Sequence, residues 1–377
     1  MRLFQGIRGK TLCVLAAFLL MLSVLFSVPV CAADNMMNIT EYIVSSDGAS
    51  VSAQIQRAID ENPNRTIYFP DGEYRLSEPI RTPADPRKSV SLKLDSFAVL
   101  TAADDFEGEA LVMLGGKDPF NDTHTPGSNY SLTGGVIDPR GKAKAITIES
   151  GRETVVKDVS VKNATVGIHI KYGANSGSSD ADISSVNIIG TGDVNSVGLL
   201  VEGYDNTFTN IRIGYVFTGV HIKSAGNSLK NIHPLYYSGY ADYEQSVGFL
   251  DEGNDNLYDY CYSDQFCTGF RTTGYQRNIY TNCFTYWYSG DGGKETCFQA
   301  DKEFDSTVTN MRIGFSENTK NCVLKTGGIG VGVFDRPIVD ATRVSGNYRY
   351  LFYSSSNPLT PIRRAVYGLV YVFKHMK

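Results

Sequence analysis

The side chains best suited by type to do chemistry fall between residues 236 and 295. Asp242, Glu244, Asp264, Asp291 and Glu295 bring carboxylates into a dense aromatic set, Tyr236, Tyr237, Tyr240, Tyr243, Tyr286, Trp287 and Tyr288. Hydrolysis of a glycosidic bond uses two carboxyl groups, one as acid on the leaving oxygen and one as base or nucleophile. Asp264, with Asp242 or Glu244 as its partner, meets that need. A carboxyl flanked by aromatic faces keeps its proton to higher pH, as a general acid requires. Tyr236, Tyr240, Tyr243, Tyr286 and Trp287 offer flat faces with polar tips that stack on sugar rings. Elimination from a uronate needs other parts, a base near the C5 proton and a cation for the carboxylate. Arg271, seven residues after Asp264, has the planar fork for that carboxylate. His221 adds an imidazole at an outward strand position. Each of these groups also has a purely structural account: solvated loop acids, rings packed beneath the loops, Arg271 paired with a nearby acid, and His221 as a surface strand histidine.

A repeat must position these groups. A small polar residue, an alternating apolar stretch, a turn and a second apolar stretch recur along the middle of the chain. Val156–Val161 leads to Val166–Ile170, and Phe208–Ile213 leads to Thr218–Ile222. The polar anchors are Asp158, Ser185, Asn210, Asn231, Asp259, Asn282 and Asn310. Their spacing, roughly 21–28 residues, predicts a solenoid of short strands, whose elongated surface suits an extended partner such as a polysaccharide. The anchors read as a structural ladder that satisfies polar groups at a bend. Positions one and three after the anchor point to the core by strand alternation. The position between them points out: Ser160, Asn187, Arg212, His233, Cys261, Phe284 and Arg312. Five residues after the anchor the column reads Tyr215, Tyr236, Asp264, Trp287, Phe315. The turn is short in most repeats but expands over residues 236–247 and 286–295. Two tall loops flanking the short turn at 263–266 predict a cleft with Asp264 on its floor.

The remaining composition restricts the function class. Arg2, Arg8 and Lys10 precede an apolar run that reaches Val30 and ends in small residues, the pattern of a signal peptide over residues 1–33. An uncleaved anchor is its rival. Cleavage would take the net charge from −5 to −8 by removing three basic residues. An acidic, exported chain with no further membrane span and no basic runs argues against nucleic acid as partner. Five cysteines remain, Cys261, Cys267, Cys283, Cys297 and Cys322. None has zinc-ligand spacing with a histidine nearby. Cys297 and Cys322 read as equivalent positions in successive turns, either as stacked thiols or as a disulfide. Residues 360–377 carry Ile362, Val366, Leu369, Val370 and Phe373 at helical spacing. That segment predicts either a cap over the open end of the solenoid or a helix lying on a membrane surface.

Upstream, residues 51–61 have helical apolar spacing. A strand at Thr66–Phe69, a turn at Pro70-Asp71-Gly72 and a strand at 73–76 follow. This order resembles the N-terminal cap of the pectate-lyase-like superfamily, particularly its rhamnogalacturonase/epimerase-like branch. Leu132-Thr133-Gly134-Gly135-Val136-Ile137-Asp138-Pro139-Arg140-Gly141 resembles a Gly-Gly-x-Ile-Asp-x-x-Gly stretch of the same superfamily. The resemblance implies an all-β, right-handed single-stranded parallel β-helix over residues 34–359, with a cap near 50–80 and a covering helix at 360–377. It implies a secreted glycoside hydrolase or polysaccharide lyase acting on an extended, uronate-bearing glycan. The alternative is a non-catalytic, adhesive glycan binder. The Asn-Thr-Asp, Asp-Asp and Gly-His-Gly motifs of the superfamily's polygalacturonases are absent, so no catalytic residue transfers by position. No cofactor is implied, although a lyase would bring calcium into consideration.

Overall fold

The computed structural model describes residues 36–43, 49–118, 130–172, 178–237, 243–274, 276–288, 295–315, 322–328, 331–335 and 337–339, and the backbone at 352–354. The expected signal peptide (1–33) and C-terminal helix (360–377) lie outside the described residues. The helix Ser52–Glu61 buries Ile55, Ala58 and Ile59, one face of the expected spacing. Its N-cap residue, Val51, makes no side-chain capping bond. The hydroxyls of Ser50 and Ser52 instead accept hydrogen bonds from the Ser77 backbone N–H, at 3.0 and 2.9 Å. They tie the start of the helix to the end of the strand Gly72–Leu76.

From Thr66 the chain winds as a right-handed parallel β-helix with three legs per coil. In one coil these are Val155–Lys157, Ser160–Ala164 and Val166–Ile170. Each leg pairs in parallel with its equivalents one coil away. Val156 lies between Leu132 and Ile183, and Ile168 between Ile146 and Leu199. First and second legs build one sheet and third legs another, and their inward columns enclose a continuous apolar core. Toward the C-terminus the third-leg column changes from Ile168, Leu199 and Val220 to Phe249, Phe270 and Phe298. Phe249 and Phe270 stack with ring centroids 4.7 Å apart. Second-leg inward residues there shrink to Ser263 and Thr285, both buried, so the core volume is conserved. The repeated glycine that opens the third leg has a steric cause. A Cβ on Gly219 would lie 2.4 Å from both the Gly248 carbonyl oxygen and Pro234 Cβ.

The polar anchors bend the chain between the first and second legs. Asp158, Ser185, Asn210, Asn231, Asn282 and Asn310 all have φ between 53° and 57°, a left-handed conformation that Asn and Asp tolerate best. Adjacent anchors also bond to one another, with Asn231 Nδ2 donating to Asn210 Oδ1 at 2.8 Å. The row is structural, as expected, with one difference. In the coil after Asn231 the left-handed residue is Tyr260, at φ 53°. Asp259 is a strand residue paired with Lys230 and Thr281. A one-residue slip moves every following side chain to the opposite face. Cys261, expected outside, is therefore fully buried, and Tyr262 takes the outward position. All five described cysteines are buried. Cys322 pairs with Thr296 and not with Cys297, which corrects the expected alignment of those two thiols.

A second ladder, not anticipated from the repeat, lies buried where each third leg turns into the next coil. Asn206, Asn227, Asn256 and Asn278 stack there. The backbone N–H and side-chain amide of Asn206 both donate to Asn227 Oδ1, at 3.1 and 3.0 Å. Asn227 donates in the same way to Asn256 Oδ1, at 2.9 and 3.1 Å. The ladder satisfies bend N–H groups that have no strand partner. The buried Asp251 closes it, accepting from Tyr258 Oη (2.6 Å), Gly253 N (2.8 Å) and the side-chain amides of Asn256 and Asn278.

Burial pushes the Asp251 carboxyl up to about 6, against the opposing pull of these hydrogen bonds. A folded value above the unfolded one means a contribution that is complete below about pH 3.9 and lost as pH rises through about 6. The stability difference between the native chain and Asp251→Asn should therefore fall by about 3 kcal/mol between about pH 4 and about pH 7.5, the energy equivalent of raising a carboxyl from about 3.9 to about 6. Urea titrations across that range measure it, and a difference independent of pH contradicts the assignment.

Candidate functional site

The second legs present two outward columns. One runs Asn187, Arg212, His233, Tyr262, Phe284, Arg312. The other runs Ile189, Gly214, Leu235, Asp264, Tyr286, Gly314. Neighbouring coils are about 4.8 Å apart, so equivalent flat side chains stack. The His233 and Tyr262 rings lie 4.1 Å apart at 17°, and those of Tyr262 and Phe284 lie 4.6 Å apart at 23°. The Arg312 guanidinium covers Phe284 at 5.3 Å. Beyond the strand ends, Tyr215 and Tyr237 stack at 4.0 Å with each residue 39% exposed. That pair leaves an aromatic face open to solvent.

At the centre of this face, Asp264 Oδ2 lies 3.4 Å from His233 Nε2. The Asp264 side chain keeps 15% of its surface exposed, so it lines the face and is not sealed beneath it. With Nε2–H donating to Asp264, the lone pair of His233 is on Nδ1, and the carboxylate orients the ring. Burial, followed by the charge of Asp264 and a hydrogen bond to it, pushes the Tyr262 phenol well up. The Tyr262 phenol thus keeps its proton while its ring is stacked on the His233 imidazole. Arg212 occupies the same column one coil before His233 and is exposed.

Asp264 is the one expected site residue at this centre, and Tyr286 flanks it in register. Four other expectations are corrected. Tyr236 and Trp287 are each 1% exposed and cannot stack on a sugar. Trp287 packs on Phe315 at 5.1 Å and donates Nε1–H to the Phe266 carbonyl at 2.6 Å. Tyr236 packs against Phe266 and Tyr243. Because Tyr260 is the bend residue, Asp264 aligns with Leu235 and Tyr286, not with Tyr236 and Trp287. Arg271 and His221 belong to the third-leg stack, away from Asp264 in the fold. Arg271 makes a forked ion pair with Asp301 at 2.8–3.1 Å. His221 lies 3.4 Å from Glu252, and burial lowers its pKa despite that partner. It sits in a row of paired charges that includes Glu202–Lys223 and Glu149–Lys171.

Glu244 lies in the turn Tyr243–Gln245, is exposed, and is not on the outward columns. Tyr243, half-buried, packs on Tyr236. Asp242 and Tyr240, with the rest of residues 238–242 and 289–294 in the two long loops, lie outside the described residues. His233 and Tyr262 were not expected as site residues. His233 already stood in the outward column, and its neighbour at the same position one coil on would have named Tyr262 had the bend been placed at Tyr260. Among the described residues no helix is long and apolar enough to cross a membrane.

Residues 36–238 match the family described as rhamnogalacturonase A/epimerase, pectate lyase-like. No curated protein sequence matches. Among solved structures, a double mutant of the tailspike protein of E. coli bacteriophage HK620 is similar, with a TM-score of 0.60 and 12% identity over 86% of this chain. This chain spans 64% of that tailspike. The alginate lyase of Paenibacillus sp. FPU-7 is similar with a TM-score of 0.55 and 14% identity, over 79% of this chain and 99% of that one. The Streptococcus pneumoniae surface adhesin PfbA is similar with a TM-score of 0.51 and 11% identity, over 85% of this chain and 100% of that one. At these identities the likeness concerns the fold.

Proposed function

This chain belongs to the rhamnogalacturonase A/epimerase, pectate lyase-like family, and from that premise we propose that it is an exported polysaccharide lyase acting on an extended, uronate-containing glycan. The observation that carries this reading is the cluster of His233, Tyr262 and Asp264 on the outward columns, with Arg212 beside it. His233 Nδ1 takes the C5 proton of a uronate, and the Arg212 guanidinium balances the charge that develops on its carboxylate. The electron pair of the C5–H bond forms the C4–C5 double bond as the C4–oxygen bond breaks. Tyr262 gives its phenolic proton to the departing oxygen. Asp264 holds the imidazole in orientation. Tyr215, Tyr237 and Tyr286 supply faces for flanking sugars.

Hydrolysis asks for a second carboxylate, and among the described residues Asp264 is the only one on the two columns from Asn187 to Arg312. The test is a panel of uronate polymers, including alginate and polygalacturonate, followed both for new reducing ends and for the absorbance of unsaturated uronides. A lyase produces both signals together. Reducing ends without the absorbance would make the protein a hydrolase, with Asp242 or Glu244 as the partner of Asp264. Binding without either product would make it an adhesin-like glycan binder.

A further inference from the structure

The second-leg face continues toward the N-terminus as a groove of about 1080 Å³, lined among others by Arg75, Asp104, Asp138, Arg140, Thr191 and Tyr215. Its floor is the same outward face one to several coils earlier, with Arg75, Thr101 and Asp138 in register. Its far end is Tyr215, whose ring stacks on Tyr237 beside the His233–Asp264 centre. The groove and the centre are therefore successive parts of one surface.

The Gly-Gly-x-Ile-Asp-x-x-Gly stretch forms one wall. Asp138 Oδ1 accepts from the Arg140 backbone N–H at 2.8 Å, and the Asn163 amide donates to both Asp138 oxygens at 3.0 and 3.2 Å. That closed turn fixes Arg140, whose Nη1 pairs with Asp104 at 2.8 Å and with the Ala102 carbonyl at 3.2 Å. Arg75 is likewise paired, with Glu73 at 2.7 Å. Glu73, Asp104 and Asp138 outnumber Arg75 and Arg140 by one charge. The groove thus offers fixed donors and acceptors with no cationic excess, unlike the centre flanked by Arg212 and Arg312. Lys142, whose Nζ donates to the Ala103 and Asp104 carbonyls, brings the local balance to zero, so hydroxyl groups can bridge these charges whereas a carboxylate gains no net attraction.

We infer that this groove is an accessory subsite that binds uncharged sugar residues, with Tyr215 stacking on the sugar nearest the centre. The inference rests on the reading of this face as a glycan-binding surface.

Calorimetric titration of the full chain with neutral hexasaccharides of gluco, galacto, manno and xylo configuration, and with an alginate hexasaccharide, tests it. At least one neutral hexasaccharide should bind, with an affinity unchanged by added salt because no net charge is neutralised. The affinity should stay within about twofold in His221→Ala, on the third-leg stack away from the groove. It should fall at least about tenfold in the double variant Arg75→Ala/Arg140→Ala, which removes the bridged donors. Thr191→Trp, which fills the groove without removing charge, should give the same loss. Binding of the alginate probe alone, weakening with salt, overturns the inference, as does neutral binding indifferent to both groove variants or no binding at all. Neutral binding that follows the groove variants in a protein that forms no uronide product supports the subsite and removes the lyase reading, so the two fail separately.

Discussion

His233→Ala is expected to lower the rate of unsaturated uronide formation by at least about 100-fold, the usual scale for losing a positioned general base. The affinity for the polymer should change little, because the flanking aromatic faces remain. Thermal stability should fall by no more than about 1 kcal/mol, the scale of one stacked pair, since the His233 side chain sits on the outer face against Tyr262. Asp264→Asn should keep the fold while removing the carboxylate that orients the His233 ring, so kcat falls and KM does not. Tyr262→Phe keeps the stack with His233 and Phe284 but has no proton to give, and should match His233→Ala in rate. Arg271→Ala and His221→Ala serve as controls, because both residues belong to the third-leg stack. Full uronide formation by His233→Ala would remove this assignment. A loss in the Arg271 control equal to that in His233→Ala would show that the effect is general destabilisation.

The largest effect on stability is expected inside the helix, at Asn256→Ala. Asn256 Oδ1 accepts from both donors of Asn227, and its amide donates to the Ser224 carbonyl and to Asp251. All of these groups are buried, and each one stranded costs about 1–3 kcal/mol, so a loss of about 4 kcal/mol is expected after partial relaxation. Denaturant unfolding measures it. The comparison is Asn231→Gly in the exposed row of bend residues, where Asn231 sits at φ 54°. Glycine adopts that conformation without a Cβ penalty, so this change should stay within about 1 kcal/mol. Equal losses at the two positions would mean that the buried ladder does no more for stability than the exposed one.

The two rows differ in how openly the chain displays them. Exposed bend residues recur as a visible polar column because only a few residue types tolerate the left-handed conformation. The buried ladder leaves a fainter trace, in that Asn206, Asn227, Asn256 and Asn278 each stand two residues before an inward Phe, Leu or Tyr. That trace lies at the junction between coils, outside the strand–turn–strand phrase that marks the repeat. The candidate site is obscured for a narrower reason. By residue type Asp259 is better suited than Tyr260 to the left-handed bend, yet the pairing of Asp259 with Lys230 and Thr281 places the bend at Tyr260. That one step exchanges Cys261 for Tyr262 on the outer face and takes Tyr236 and Trp287 out of the column of Asp264.

Local chemistry in the chain was enough to determine a solenoid of short strands, the helix at its start and six of the seven expected bends. Alternation, left-handed tolerance and helical spacing each act within a few residues, and all three are legible in the sequence. The partners of Asp264 were decided only by tertiary structure. His233 is 31 residues from Asp264 and meets it through the register of neighbouring coils. Register is a long-range property in which a shift of one residue reverses the facing of a whole strand.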